Sequence, residues 1–142
     1  MSINLLKKML EEIESARIDC DSVGGVIDCV ITGVPVGAGE YMFDSVEGVI
    51  SSLAFAVPAV KGIEFGSGFA FSSMRGSEAN DGFYYEDGQV KTFTNNNGGI
   101  NGGISNGFLI TMSVILMNFL LSLLKFAKMK VLSERRLTIS QA

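Results

Sequence analysis

From Ile3 to Ala16, apolar residues recur at helical spacing: Ile3, Leu6, Met9, Leu10, Ile13 and Ala16. They fall on one stripe of a helix, with Lys7, Lys8, Glu11, Glu12 and Glu14 turned to water, so the pattern predicts an amphipathic helix. From Gly24 to Val34 the pattern changes. The run GGVIDCVITGV is rich in β-branched residues and suits a strand, which Pro35, Gly37 and Gly39 end. Asp44 with Glu47 three positions later predicts an N-cap and capping box for a helix through Val46, Val49, Ile50 and Leu53, and Pro58 bars its continuation. Ile63 and Phe65 alternate with Glu64 in a short strand, and Phe83 to Thr94 reads as a hairpin whose arms meet at Asp87-Gly88. Helices and short strands in this order predict an α+β layer rather than a regular βαβ series.

After Gly107 the character shifts. Phe108 to Leu124 carries no charge, and Lys125, Lys128, Lys130, Arg135 and Arg136 follow it. The run is slightly short of the ~20 apolar residues that cross a bilayer, although its basic flank is what such a span would carry. Thr111, Ser113, Asn118 and Ser122 interrupt it, and a buried strand followed by a helix fits the same pattern.

At 142 residues the chain is of one-domain size, with a single core. Hydrophobic residues make up 47% of it and there are 17 glycines, which exclude a disordered chain and favour tight turns. A net charge of -4 argues against a nucleic-acid partner, which would need clustered positive charge. Cys20 and Cys29 have no second thiol pair and no histidine to complete a metal site, so they read as free cytosolic thiols. The N-terminal MSINLLKKMLEEIESA mixes charge with apolar residues, unlike a secretory signal, and a cytoplasmic location is expected. With no histidine in the chain there is no Ser-His-Asp or Cys-His set. Exposure leaves Glu86 and Asp87 ionised at the hairpin tip. No catalytic or metal-binding residue is therefore assigned.

Two segments retain candidate chemistry. Gly98, Gly99, Gly102 and Gly103 give the backbone access to positive φ and let a ligand approach the main chain, yet on the residues alone a tight turn between strands is the favoured reading. Asn95, Asn96 and Asn97 could fix a flat polar ring or serve the turn itself. Arg75, in MRGSEAND, could pair with a carboxylate or phosphate of a ligand; pairing with Glu78 or Asp81 to close the loop is the favoured reading.

The segments GVPVGAGEYMFDSVEG, AVPAVKGIEFGSGF, MRGSEANDGFYYEDG and TNNNGGINGGISNG occur in this order between Gly33 and Gly107. Together they resemble the chorismate synthases, a likeness running from about Ser22 through Gly107. The resemblance implies part of a β-α-β sandwich, an antiparallel sheet packed with helices. It implies the anti 1,4-elimination of phosphate from 5-enolpyruvylshikimate 3-phosphate to give chorismate, in the shikimate pathway to the aromatic amino acids. Reduced FMN is the implied cofactor, with NADPH entering only indirectly through flavin reduction, and a homotetramer is the implied assembly. Pro58, Ala59 and Gly102 match family positions at the flavin.

Other family features have no counterpart here, among them the GESHG-type and RHDP-type segments, the arginine and serine cluster of the first half, and both catalytic histidines. A KPT-type segment is expected where Met117, Asn118 and Phe119 stand, a break that a shifted reading frame near Leu116 would produce. The chain thus divides into a family-like section, 1–117, and a divergent tail, 118–142, and alone it should not turn over. Two other readings stand beside this one: a noncatalytic oligomerising module of the same fold, and a small membrane-anchored protein using 108–124.

Overall fold

The computed structural model describes residues 3–117 and 138–140. The elements in order are α1 (Ile3–Ile18), β1 (Gly25–Ile31), α2 (Val46–Phe55), β2 (Val60–Phe65), α3 (Gly76–Ala79), β3 (Phe83–Glu86), β4 (Gln89–Thr92), β5 (Ile100–Asn101), β6 (Ile104–Ser105), β7 (Ile110–Leu116) and β8 (Thr138–Ser140). Short 3-10 turns at Met42–Asp44 and Gly68–Ser73 complete the connections. Helices layered with antiparallel sheets make this an α+β fold.

One four-stranded antiparallel sheet, in the order β2-β7-β1-β8, carries the core. β7 is its hub, paired along its whole length with β1 from Gly25↔Leu116 to Ile31↔Ile110 and on the other side with β2. Its residues Ile110, Val114 and Leu116 are all at or below 1% exposure, as is Ile27 opposite Val114. Burying each such side chain is worth about 1.5–3 kcal/mol. Ile27, Val114 and Leu116 form the core cluster with Val57 and Val60, and Ile13 of α1 and Ile63 of β2 pack against it. The uncharged run beginning at Phe108 is explained to this extent: its described part is a strand paired on both sides, whose apolar content serves the core. Positions 118–124 of that run, and most of the tail from 118 to 142, lie outside the described residues. No described helix is long and apolar enough to cross a membrane.

α1 forms as the periodicity predicts, but its buried face is rotated. Met9 is buried, with Leu5, Ile13 and Ala16 half-buried beside it, while Ile3, Leu6 and Leu10 are 86%, 43% and 57% exposed. The apolar arc is wider than the sheet can cover, and the sheet takes one side of it.

The cap of α2 corrects the expectation at Asp44. Asp44 closes the preceding 3-10 turn, and Ser45 is the N-cap, its Oγ accepting the Gly48 N–H at 3.0 Å. Gly48 stands at the third helical position, where a Cβ would come within 2.9 Å of that Oγ. Glu47, displaced by one from the position a capping box needs, carries instead a carboxyl pushed above its usual range by burial. The β3–β4 hairpin forms as expected, with Asp87 and Gly88 at φ 53° and 78° in the turn.

Candidate functional site

The glycine and asparagine motifs fold against one another. Asp81, the last residue of RGSEAND, is 4% exposed. Its Oδ1 accepts the Thr94 hydroxyl at 2.6 Å and the Asn96 N–H at 2.7 Å, while its Oδ2 accepts the Asn97 N–H at 2.8 Å and the Asn97 side-chain amide at 3.0 Å. Burial pushes this carboxyl upward, but the four donors outweigh it and hold the group below its usual range. An ionised Asp81 therefore shapes the TNNN turn.

The three asparagines are consumed by the same construction. Asn95 donates to the Leu109 carbonyl and Asn96 to the Glu78 carbonyl, while Asn96 Oδ1 accepts the Ser67 hydroxyl at 2.9 Å. The local turn reading of these residues is the one the structure supports. Arg75 departs from expectation. Glu78 accepts the Arg75 backbone N–H at 2.9 Å and Asp81 is filled by the TNNN turn, so the exposed guanidinium makes no ion pair among the described residues.

Glycine is required where these loops meet. At Gly66, φ is 56° and a Cβ would collide with the Asn96 carbonyl oxygen; at Gly98, φ is 63° and a Cβ would strike the Gly66 backbone. The Gly66 N–H donates to Thr111 O and the Thr111 N–H to Gly98 O, which seats the turn on the start of β7. From there the chain makes the small β5–β6 hairpin, with Asn106 N–H donating to Gly99 O at its base.

GVPVG lies along that hairpin. Ser105, 2% exposed, donates its hydroxyl to Pro35 O at 2.6 Å and accepts the Ala38 N–H at 2.9 Å, and main-chain bonds join Gly37 and Ala38 to Ser105 on both sides. Sequence reasoning gave Ser105 no role and Asp81 the wrong partner. The signal for both was polarity inside a glycine motif, where a side chain has backbone donors close by.

Gly102 and Gly103 share the hairpin tip but differ in surroundings. A Cβ on Gly103 would come within 2.7 Å of Ser45 Cβ and 2.8 Å of the Glu40 carbonyl oxygen, and the Gly103 carbonyl accepts the Val46 N–H at the start of α2. Gly102, at φ 60°, has nothing within 4 Å of such a Cβ. Its main chain is open to a ligand.

Pro58 and Ala59 lie past the other end of α2. Pro58 is exposed and Ala59 half-buried at φ 76°, a left-handed conformation that costs a non-glycine residue about 1 kcal/mol. The Ala59 carbonyl accepts the Met117 N–H at 2.9 Å. The ten residues of α2 span about 15 Å. The fold thus sets Gly103, next to Gly102, against the start of this helix and Pro58-Ala59 just past its end.

The profile of the family described as chorismate synthase matches residues 2–125. The chain belongs to the chorismate synthase family. It is 52% identical over 101 residues to a chorismate synthase of Cytophaga hutchinsonii, covering 70% of this chain and 28% of that protein. To a chloroplastic chorismate synthase of Capnoides sempervirens it is 47% identical over 109 residues, 76% of this chain and 24% of that one. A solved crystal structure of a chorismate synthase superposes with a TM-score of 0.72 at 29% identity, covering 78% of this chain and 34% of the other. The chain spans about a quarter to three-tenths of the length of these curated relatives.

Proposed function

We propose that the chain is the glycine-rich, flavin-facing section of a chorismate synthase, acting in the elimination of phosphate from 5-enolpyruvylshikimate 3-phosphate. The observation that carries this reading is the coincidence of open main chain at Gly102 with membership of the family. A flat ring needs a surface it can approach without side chains, and Gly102 offers one on a hairpin held on both flanks. Pro58 and Ala59, at the far end of α2, suit the other part of an elongated ligand such as reduced FMN, whose ring and phosphate lie at opposite ends. NADPH enters only as the source of electrons for that flavin.

When bound, the reduced flavin supplies electron density to the departing phosphate. The protein's own part is to hold ring and substrate in register and exclude water, which converts binding energy into orientation. The chain has no histidine to move a proton beside that platform. A lyase reaction on this chain by itself is not expected, and the cytoplasm and a homotetramer are the proposed setting.

Flavin fluorescence tests the reading directly. Titrating the purified chain into FMN should give saturable but weak quenching, because an incomplete pocket leaves most of the ring in water. Adding the remaining portion of a chorismate synthase should tighten it and restore chorismate formation from 5-enolpyruvylshikimate 3-phosphate. Absence of quenching both alone and with that portion would refute the flavin reading.

A further inference from the structure

From the buried Asp81 carboxylate, hydrogen bonds run through the TNNN turn to the base of the β5–β6 hairpin that carries Gly102. Asp81 receives the N–H groups of Asn96 and Asn97. Asn97 O then accepts the Ile100 N–H at 3.3 Å, Gly98 O accepts Thr111 N–H and Gly99 O accepts Asn106 N–H at 3.0 Å. The Asn106 bond closes the base of the β5–β6 hairpin, whose tip is Gly102, and the Thr111 bond seats the turn on β7. The other flank is held by Ser105 and Gly103 against GVPVG and α2. Only the Asp81 side depends on a charge. Its loss would orphan two backbone N–H groups in the turn on which that base stands.

We infer that Asp81 is the positioning residue of this site: through the TNNN turn it sets where the β5–β6 hairpin presents Gly102, without itself touching a ligand. Charge-assisted bonds are short and directional, and the four to Asp81, two from backbone amides and two from side chains, lie between 2.6 and 3.0 Å, which suits a device that fixes geometry rather than one that merely fills space. The inference rests on the flavin reading only for what the hairpin presents. The ordering of the hairpin by Asp81 stands apart from it.

Two measurements on the full chain keep these separate. In Asp81→Asn, where a side-chain amide faces the two donors now served by Oδ2, amide hydrogen exchange at Asn96, Asn97, Ile100 and Asn106 should rise about tenfold or more, with Ile27 and Val114 changed by less than about twofold. Thr94→Val removes one of the four donors and should give the same pattern at about threefold. FMN quenching should weaken about tenfold in Asp81→Asn.

Unchanged exchange at Ile100 and Asn106 would overturn the inference, since Asp81 would then order only its own turn. If Asp81→Asn unfolds outright, Thr94→Val decides, and exchange rising equally across hairpin and sheet would mark a merely structural group. Equal FMN affinity in wild type and Asp81→Asn would also overturn it. Should the wild-type chain show no quenching even with the rest of the enzyme, the flavin reading falls while the exchange pattern still judges Asp81.

Discussion

Among single residues, the glycines separate those the fold requires from those, such as Gly102, around which it leaves space. Gly66 and Gly102 have nearly the same φ, 56° and 60°, so an alanine at either pays the left-handed penalty of about 1–2 kcal/mol. Only at Gly66 does the added methyl meet a carbonyl oxygen. Gly66→Ala should therefore lower stability by about 3 kcal/mol or more in urea unfolding, and Gly102→Ala by about 1 kcal/mol. Flavin quenching should reverse the order when corrected for folded fraction, with Gly102→Ala the weaker binder. A second residue-scale prediction concerns acid. The folded carboxyl of Asp81 lies below its ordinary value of 3.8, so the stability it contributes is complete above that value and is lost as the pH falls through the lowered one. Glu47 runs the other way. Its carboxyl is raised above 4.5 by burial, and protonating it on the way down from neutrality relieves the folded state. Comparing wild type with Asp81→Asn cancels Glu47 and every other shared group. The gap in melting temperature should be constant from pH 7 to pH 5 and begin to close as the pH falls below about 3.8; a gap that does not narrow at all on acidification would show that the bonds do not depend on the ionised form.

Moving up to elements, the N-terminus of α2 is where a one-residue error in reading has a measurable consequence. Ser45→Ala removes the oxygen that accepts the Gly48 N–H and should cost about 1 kcal/mol, whereas Asp44→Ala, outside the helix, should stay within about 0.5 kcal/mol. Urea midpoints of the two variants decide between the caps. The reason for the error is physical: both residues are good N-caps, and the choice belongs to Gly103, whose carbonyl takes the Val46 N–H and fixes where the helix begins. Elements set by local chemistry were legible, including the helix from Ile3, the strand around Ile27 and the hairpin at Asp87-Gly88. Their partners were not. Periodicity places Leu6 and Leu10 on an apolar stripe with Met9, but only the sheet decides which side of the arc is buried. Likewise Asp81 and Arg75 are close in sequence, and nothing local shows that the carboxylate is taken by a hydroxyl 13 positions on and amides 15 and 16 positions on. At the site, family resemblance supplied Pro58, Ala59 and Gly102, whereas the open space at Gly102 and the separation along α2 needed coordinates.

For the molecule as a whole, the balance of buried and exposed apolar residues is the informative quantity. Nine hydrophobic side chains are buried among the described residues, against twenty large ones exposed, including Tyr41, Met42 and Phe43 on one turn and Phe83, Tyr85, Val90 and Phe93 around one hairpin. Patches of this kind mark surfaces that other protein covers. A two-stranded hairpin such as β3–β4 is marginal unless its apolar face is packed. On the proposed function, and with the chain spanning about a quarter to three-tenths of its relatives, we propose that the cover is the remainder of a chorismate synthase. Two outcomes follow for the purified chain. Alone, it should bind a hydrophobic dye and scatter light as species heavier than 15.2 kDa, with a mass that rises with concentration. Mixed with a Cytophaga hutchinsonii chorismate synthase lacking the 101 matched residues, it should lose most of the dye signal and settle to a fixed mass. A noncatalytic oligomerising module would behave differently, forming one discrete assembly from this chain alone and ignoring the added portion. Dye binding that is low from the start, with a sharp and concentration-independent mass, would favour the module, because its apolar faces would already be covered by copies of themselves.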